Sequence, residues 1–349
     1  MKKTLYILGI LICFQSVFGQ IQKQQKTGDF IESTSFNQTR KKTRKLQYTP
    51  DENDFVCING KNKFTRALYG SHTGFRLETS DIPEFALYLP RMGGNITFYL
   101  AKENDTLALN SAKRIETRYR PGTRIYTIFD PFFEKGKIQI QALALFDSDG
   151  AILKISKENI SDKIKLICKF GGASNTRFSR EGDLGADPPD CFDLKPEYCK
   201  GNLYSIDNNK FKLTFGKNNA ETLYGIFPEK STLEINELPV LFSSNLLKDE
   251  QYFYLGKENN FSEDELKIKF DKAENYRKKL ASQIQINTPD KYFNTIGSAL
   301  SIAADGIWDG QVWLHGAVGW RMPLTGWRAA YTGDFLGWHN RAKTHFDAY

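Results

Sequence analysis

The last 42 residues of this 349-residue chain concentrate the side chains that could do chemistry. All five tryptophans (Trp308, Trp313, Trp320, Trp327, Trp338) and three of the four histidines (His315, His339, His345) fall there. Asp309, Arg321, Arg328 and Asp334 lie among them. Sugars present apolar C–H faces that stack on indoles, and hydroxyls that need paired donors and acceptors. Trp308, Asp309, Trp313, His315, Arg328, Asp334 and His339 are therefore candidate carbohydrate contacts. Trp would stack on a ring, Arg and His would donate, and Asp would accept. The competing reading is a core between packed helices, with Asp309 and Asp334 capping helix ends. Residue types alone leave both open.

Glycoside hydrolysis normally needs two carboxylates, ~5–5.5 Å apart for retention and ~6.5–9.5 Å for inversion. Asp305, Asp309, Asp334 and Asp347 are the only acids after Asp290. No spacing among them identifies an acid/base pair, so no catalytic residue is assigned. There is no Gly-rich phosphate loop, serine elbow or zinc-type cysteine spacing, and neither a metal nor a cofactor is expected.

A second polar group sits far upstream. Residues 171–203 form a long insertion with paired glycines, Pro188-Pro189 and a run that includes Arg180, Asp183 and Asp187. Loops of this length are functional or solvated. The functional reading brings Arg180, Asp183 and Asp187 toward a neighbouring cleft; the other is a solvated flap.

These groups must be positioned by two kinds of element. From about Asp54 to Leu255 the pattern is short alternating strands with turn residues between them, which predicts an antiparallel β-sandwich. Phe55 to Ile58 runs into Asn59-Gly60, a hairpin signal, before Lys63 to Leu68. Pro121-Gly122 and Asp147 to Gly150 mark two further hairpins. The period then changes. Ser262 to Glu265 reads as a capping box, and Leu266, Phe270, Ala273, Tyr276 and Leu280 predict an amphipathic helix over 263–283. Thr288-Pro289 predicts a second start, with Tyr292, Phe293, Ile296, Ala299, Leu300 and Ala303 buried. A third helix is expected from near Thr332, with Phe335, Trp338, Ala342, His345, Phe346 and Tyr349 on one stripe. Gly316, Gly319, Pro323 and Gly326 break the aromatic stretch between the last two.

The net charge of +7 does not point to nucleic acid. Lys2 and Lys3 hold two of the charges, and residues 20–48 hold seven basic against two acidic side chains. That leaves 39 of each sign from Thr49 onward, where a basic groove would need a local excess. Lys2-Lys3, the apolar run Leu5 to Phe14 and small residues before Gln20 read as a secretory signal over 1–19, too short to span a membrane. The expected product is periplasmic or secreted, without stable membrane insertion. Residues 20–48 read as a basic polar linker, 49–260 as the sandwich, 261–284 as a linker helix and 285–349 as the start of a helical domain. Cys57 and Cys168 read as core. Cys191 and Cys199 are either a disulfide or free thiols.

Several stretches are similar to a family of secreted bacterial proteins, domain of unknown function 4450. They are Ala67-Leu68-Tyr69-Gly70-Ser71-His72-Thr73-Gly74-Phe75-Arg76, Pro83 to Pro90 and Met92-Gly93-Gly94-Asn95. Arg180 to Asp183, Ala186 to Pro188, Tyr198 to Asn202, Trp313 to Gly316, Gly326 to Arg328 and Gly337 to His339 resemble it too. In layout the family resembles six-hairpin glycosidases: a β-sandwich, a linker helix and an (α/α)6 barrel whose loop end binds carbohydrate. The resemblance implies a mainly β chain, an antiparallel β-sandwich followed by a linker helix and the first helices of an incomplete (α/α)6 barrel. A toroid of twelve helices needs on the order of 300 residues, whereas 65 follow Ile284. The implied protein is carbohydrate-active, acts on a polysaccharide and is incomplete for catalysis, with a second chain able to complete the barrel. The alternative is a non-catalytic carbohydrate-binding or assembly module.

Overall fold

Alternation along the strands decides the architecture. In β8 (Arg114–Arg120) Ile115, Thr117 and Tyr119 are buried while their neighbours are less so; β12 (Lys165–Phe170) repeats the pattern with Leu166, Cys168 and Phe170. Strands with one apolar face bury it against a second sheet. The computed structural model describes residues 46–349 except 90–91, 181–186, 317–320 and 325–326, and only the backbone of Trp327 and Arg328. The expected signal segment, most of the expected linker, Asp183 and the Arg328 side chain lie outside the described residues.

One antiparallel sheet has ten strands. Edge to edge they are β1 (Thr49–Asp51), β2 (Asp54–Ile58), β8, β9 (Thr123–Phe129), β10 (Lys137–Ala144), β11 (Gly150–Glu158), β18 (Glu250–Gly256), β15 (Glu221–Ile226), β14 (Lys210–Phe215) and β13 (Leu203–Asp207). The other has eight: β16 (Thr232–Ile235), β17 (Leu241–Leu246), β12, β6 (Met92–Lys102), β5 (Glu84–Leu89), β4 (Arg76–Thr79) and β3 (Arg66–Tyr69), with β7 (Asp105–Ala108) paired to β6. Aromatic contacts tie the sheets together. Phe85 meets Tyr126 edge-on at 5.5 Å, and Phe98 meets Phe253 at 5.2 Å. The expected sandwich is present, and the Pro121-Gly122 and Asp147 to Gly150 hairpins form as β8–β9 and β10–β11.

The Asn59-Gly60 hairpin does not form. β2 pairs with β8, whereas β3 lies in the other sheet beside β4. Asn59 takes a left-handed conformation (φ 52°) and extends the pairing with β8. Its amide donates to the Ile115 carbonyl at 2.8 Å, and its side-chain oxygen accepts from the Ile115 amide at 2.8 Å. The turn residue bends the chain out of one sheet instead of folding it back.

Among the described residues four α-helices follow, and they do not close a barrel. Helix α1 (Asp264–Ala281) forms half of the expected capping box. The Glu265 carboxylate accepts from the Ser262 amide at 2.7 Å, but Glu263 is the N-cap and the Ser262 hydroxyl donates to Glu265 at 3.1 Å instead of capping a helix amide. Its Leu266, Phe270 and Ala273 pack on Leu143, Ile152, Tyr252 and Tyr254, the outer face of the ten-stranded sheet. Helix α2 (Lys291–Gly306) starts two residues beyond the expected point. Asp290 is the cap, accepting from the Tyr292 amide at 2.8 Å, while Thr288 binds Asn294. The expected apolar face of α2 is overturned as well: Phe293, Ile296 and Leu300 are 61%, 42% and 46% exposed. The buried residues are Thr295, Gly297, Ser301, Ile302, Ala304 and Asp305, mostly small or polar. Ser301 donates to the Leu280 carbonyl at 2.6 Å and Thr295 to the Glu52 carbonyl at 3.0 Å.

The single late helix is two: α3 (Trp327–Phe335) and α4 (His339–Asp347). Gly337 breaks them at φ 74°, with the Trp338 amide returning to the Gly333 carbonyl at 2.6 Å. Ala342 and His345 are buried, but Phe335, Phe346 and Tyr349 face outward. Sandwich and helices form one compact unit, Gln47–Tyr349. No helix among the described residues is long and apolar enough to cross a membrane.

The described residues of the insertion over 171–203 pack on the sandwich and do not form a solvated flap. Phe178 and Phe192 pack with Phe64, Ala86 and Tyr88, and so cover β5 from outside. Beneath it lies a fully buried Arg76–Glu78 pair, with the Arg76 guanidinium 3.7 Å from the centre of the Tyr88 ring. Cys57, Cys168, Cys191 and Cys199 are free thiols, Cys199 facing the Gly171 carbonyl.

Gly337 has open space around it, so only its backbone conformation resists a side chain. Gly337→Ala should cost about 1 kcal/mol in urea unfolding. Gly122→Ala should cost more, because φ is 81° there and a Cβ would lie 2.7 Å from Arg277 Cδ.

Candidate functional site

The loop between β3 and β4, residues 70–75, is pinned to the sandwich at two points. The Ser71 and Thr73 hydroxyls both donate to Asp149, Thr73 at 2.6 Å. This holds His72 toward the helices, with Nε2 3.3 Å from Asp305 Oδ1 near the end of α2. Tyr276 of α1 donates to the same oxygen at 3.3 Å, and Arg341 of α4 at 2.9 Å. Arg277 of α1 lies 3.8 Å from Oδ2 and donates to the carbonyls of Tyr69 (2.6 Å) and Ala144 (3.3 Å). A buried carboxylate thus collects donors from the sandwich loop, α1 and α4.

Burial alone would push the Asp305 carboxyl up. The His72 hydrogen bond and charge, with the Arg341 guanidinium, outweigh it and hold the group below the ordinary aspartate value. Burial pulls the Arg277 guanidinium down, against the opposing charge of Asp305. Asp305 is 2% exposed, but the side chains of His72 and Arg341 are 29% and 22% exposed. The Arg341 guanidinium lies 4.5 Å from the Trp338 ring centre and 5.6 Å from that of Trp308. A guanidinium oriented by a carboxylate, flanked by indoles and reaching solvent can donate to a hydroxyl or carbonyl while a ring stacks beside it.

The residues expected from the sequence meet this centre unevenly. Trp308 follows α2 directly, its amide bonded to the Asp305 carbonyl at 3.1 Å. Trp313 packs against it, ring centres 4.6 Å apart, but is fully buried and presents no face to a ligand. The Trp313 amide donates to His345 Nδ1 at 3.2 Å, which makes this pair part of the core with Ala329, Ala330 and Ala342. Asp309 closes its own turn, accepting from the Gln311 and Val312 amides at 2.9 and 2.7 Å. His315 is exposed, its amide bonded to the Met322 carbonyl. Asp334 and His339 pair at 2.6 Å on the surface. Arg180 is exposed, and Asp187 is buried within its own loop, accepting from the Arg180 amide at 2.8 Å and from the Ser179 hydroxyl.

The centre itself comes from residues not singled out as contacts: His72, Tyr276, Arg277, Asp305 and Arg341. One signal existed. Asp305 is an acid at the end of an otherwise apolar helical stretch, a position that needs a partner if buried.

The geometry is that of a two-sheet sandwich joined to helices through a charged seam. Residues 89–252, which include the Met92–Asn95, Arg180–Asp183, Ala186–Pro188 and Tyr198–Asn202 stretches, match the family model Domain of unknown function (DUF4450). No curated protein matches the sequence. Among solved structures, an inverting mannosidase of family GH92 from Bacteroides thetaiotaomicron VPI-5482 aligns over 74% of this chain and 36% of its own, with 9% identity and a TM-score of 0.35. A glycoside hydrolase of family 81 from Clostridium thermocellum aligns over 65% of this chain and 31% of its own, with 8% identity and a TM-score of 0.28. The chain spans about a third of the length of these structures.

The sign of the Asp305 shift fixes a pH signature. A carboxyl held below its unfolded value contributes stability that is complete above the ordinary aspartate value, ~3.9, and is lost as pH falls through the lower folded value. Asp305→Asn should destabilise by about 3 kcal/mol at pH 7. In urea titrations repeated at several pH values, the gap to the parent should narrow only below about pH 4.

Proposed function

We propose that this protein recognises carbohydrate at the seam between its sandwich and its helices. The carrying observation is Arg341, held on the buried Asp305 and flanked by the indoles of Trp308 and Trp338. His72 would add a donor at the edge. Recognition is favoured over hydrolysis by what the nearby acids already do. Asp305 is buried under donors, Asp309 closes a turn and Asp334 pairs with His339. Each is already engaged by donors of its own, where hydrolysis needs a free acid and carboxylate across the glycosidic bond. Export belongs to the same proposal and rests on Lys2-Lys3 and the apolar run that follows.

Trp338→Ala should weaken binding to a polysaccharide that the parent retains by about tenfold in affinity electrophoresis, with no reducing sugar released by either. Unchanged retention in Trp338→Ala and in Arg341→Lys would remove this seam from recognition.

A second reading, an assembly module, is favoured by the outward apolar stripe Phe293, Ile296 and Leu300. It predicts association in solution: sedimentation should give a mass above one chain, and Ile296→Glu should return it to one. A single-chain mass at all concentrations would count against self-assembly.

A further inference from the structure

A second cleft lies along α2 from the seam. It has a volume of about 560 Å³ and is bounded by the β1–β2 and β8–β9 turns, the end of α1 and the first half of α2. That is within the range of small-molecule sites, ~300–1,000 Å³. Its charged lining is largely spoken for. Arg120 contacts Asp54 through Nε and Nη2, and Lys278 pairs with Glu274 at 2.9 Å. The groups with no side-chain hydrogen bond among the described residues are Asn53, Gln285, Asn287 and Ser298, beside the carboxylate of Glu52. Amides and hydroxyls carry donors and acceptors together, the pattern that vicinal hydroxyls also carry. With both cations paired, nothing in the cleft compensates an anion. Pro121, Ala281 and Ile286 supply a small apolar surface for a C–H face.

We infer that this cleft binds a neutral polyhydroxylated ligand, a sugar residue, through Asn53, Gln285, Asn287 and Ser298. The inference deepens the carbohydrate reading by adding a second contact point. Ser298 and Asp305 are seven residues apart on α2, which puts them on one helical stripe about 10 Å apart along the axis. A linear oligosaccharide held at the seam has its next units within reach of that stripe.

The test is saturation-transfer NMR on the full chain with glucose and mannose as neutral probes and citrate as an anionic one. A Gln285→Ala/Asn287→Ala double variant and a Trp338→Ala variant are run beside the parent. Gln285 and Asn287 are exposed and Trp338 is half-buried, so the unfolding midpoint of every variant is checked first. The cleft pair is also combined with Trp338→Ala, which removes the seam's ring contact. The expected result is hexose transfer in the parent and in Trp338→Ala, reduced about tenfold in affinity when the cleft pair is added to Trp338→Ala, with citrate silent. Hexose transfer as strong in the triple variant as in Trp338→Ala overturns the cleft while leaving the seam standing. Citrate bound more tightly than hexose overturns the ligand class, and no hexose transfer at tens of millimolar overturns the inference altogether. Polysaccharide retention that still depends on Trp338 would then show that the seam reading survives alone.

Discussion

A carboxylate taken out of water must be met by donors, and in this protein one such group joins two architectures. Asp305 closes α2, yet its partners come from a sandwich loop, from α1 and from α4. Uncompensated, it would cost several kcal/mol. Its satisfaction therefore requires that His72, Tyr276 and Arg341 arrive together. The close approaches nearby serve the same end. A Cβ at Gly306 would lie 2.5 Å from the Tyr69 ring, so α2 reaches β3 only where a side chain is missing. Arg277 runs alongside, using its guanidinium to satisfy carbonyls of Tyr69 and Ala144. The outer face of a sandwich usually looks to water; here it is roofed by α1 and charged at the rim.

The aromatic segment inherits its position from that seam. Trp308 and Trp313 bridge in antiparallel fashion, and Leu314 bridges to Pro323. The indoles thus divide by role. Trp313 is core, fixed through its amide to His345, while Trp338 stays partly exposed against Arg341. A cluster of tryptophans in a sequence looks like one surface. Folded, Trp308 and Trp313 are buried together, and Trp338 beside the guanidinium remains as the face that can meet a ring.

Strand alternation made the sandwich legible, because each of β8 and β12 buries every second residue. The change of period at Ser262 made α1 legible too. What was hidden follows a common cause: partners far apart in sequence. His72 and Asp305 are 233 positions apart, and nothing local in Ser71-His72-Thr73 marks an ion-pair partner. Arg277 falls beside Tyr276 on α1, and hydrophobic periodicity assigns Tyr276 to the core. The structure buries Arg277 and leaves Tyr276 stacked on Phe146 at the margin, ring centres 4.5 Å apart. Asn59-Gly60 misled for a related reason. Turn chemistry states that the chain bends, but which sheet receives the next strand is decided by the register of β8.

Helix α2 carries the same lesson into function. Its apolar stripe implied a buried face at Phe293, Ile296 and Leu300, and burial went instead to Thr295, Gly297, Ser301 and Asp305, together with Ile302 and Ala304. Small residues allow close backbone approach: a Cβ at Gly297 would meet Ile286 at 2.9 Å, and Ser301 reaches the end of α1. Polar groups on that face gain partners that a leucine could not provide, and Asp305 in particular has no other place to be satisfied. The orientation that seats the carboxylate necessarily turns the apolar stripe outward. The exposed stripe and the charged seam are therefore one constraint seen from two sides, and any partner that covers Phe293 and Leu300 would dock on a helix whose rotation is already fixed by Asp305.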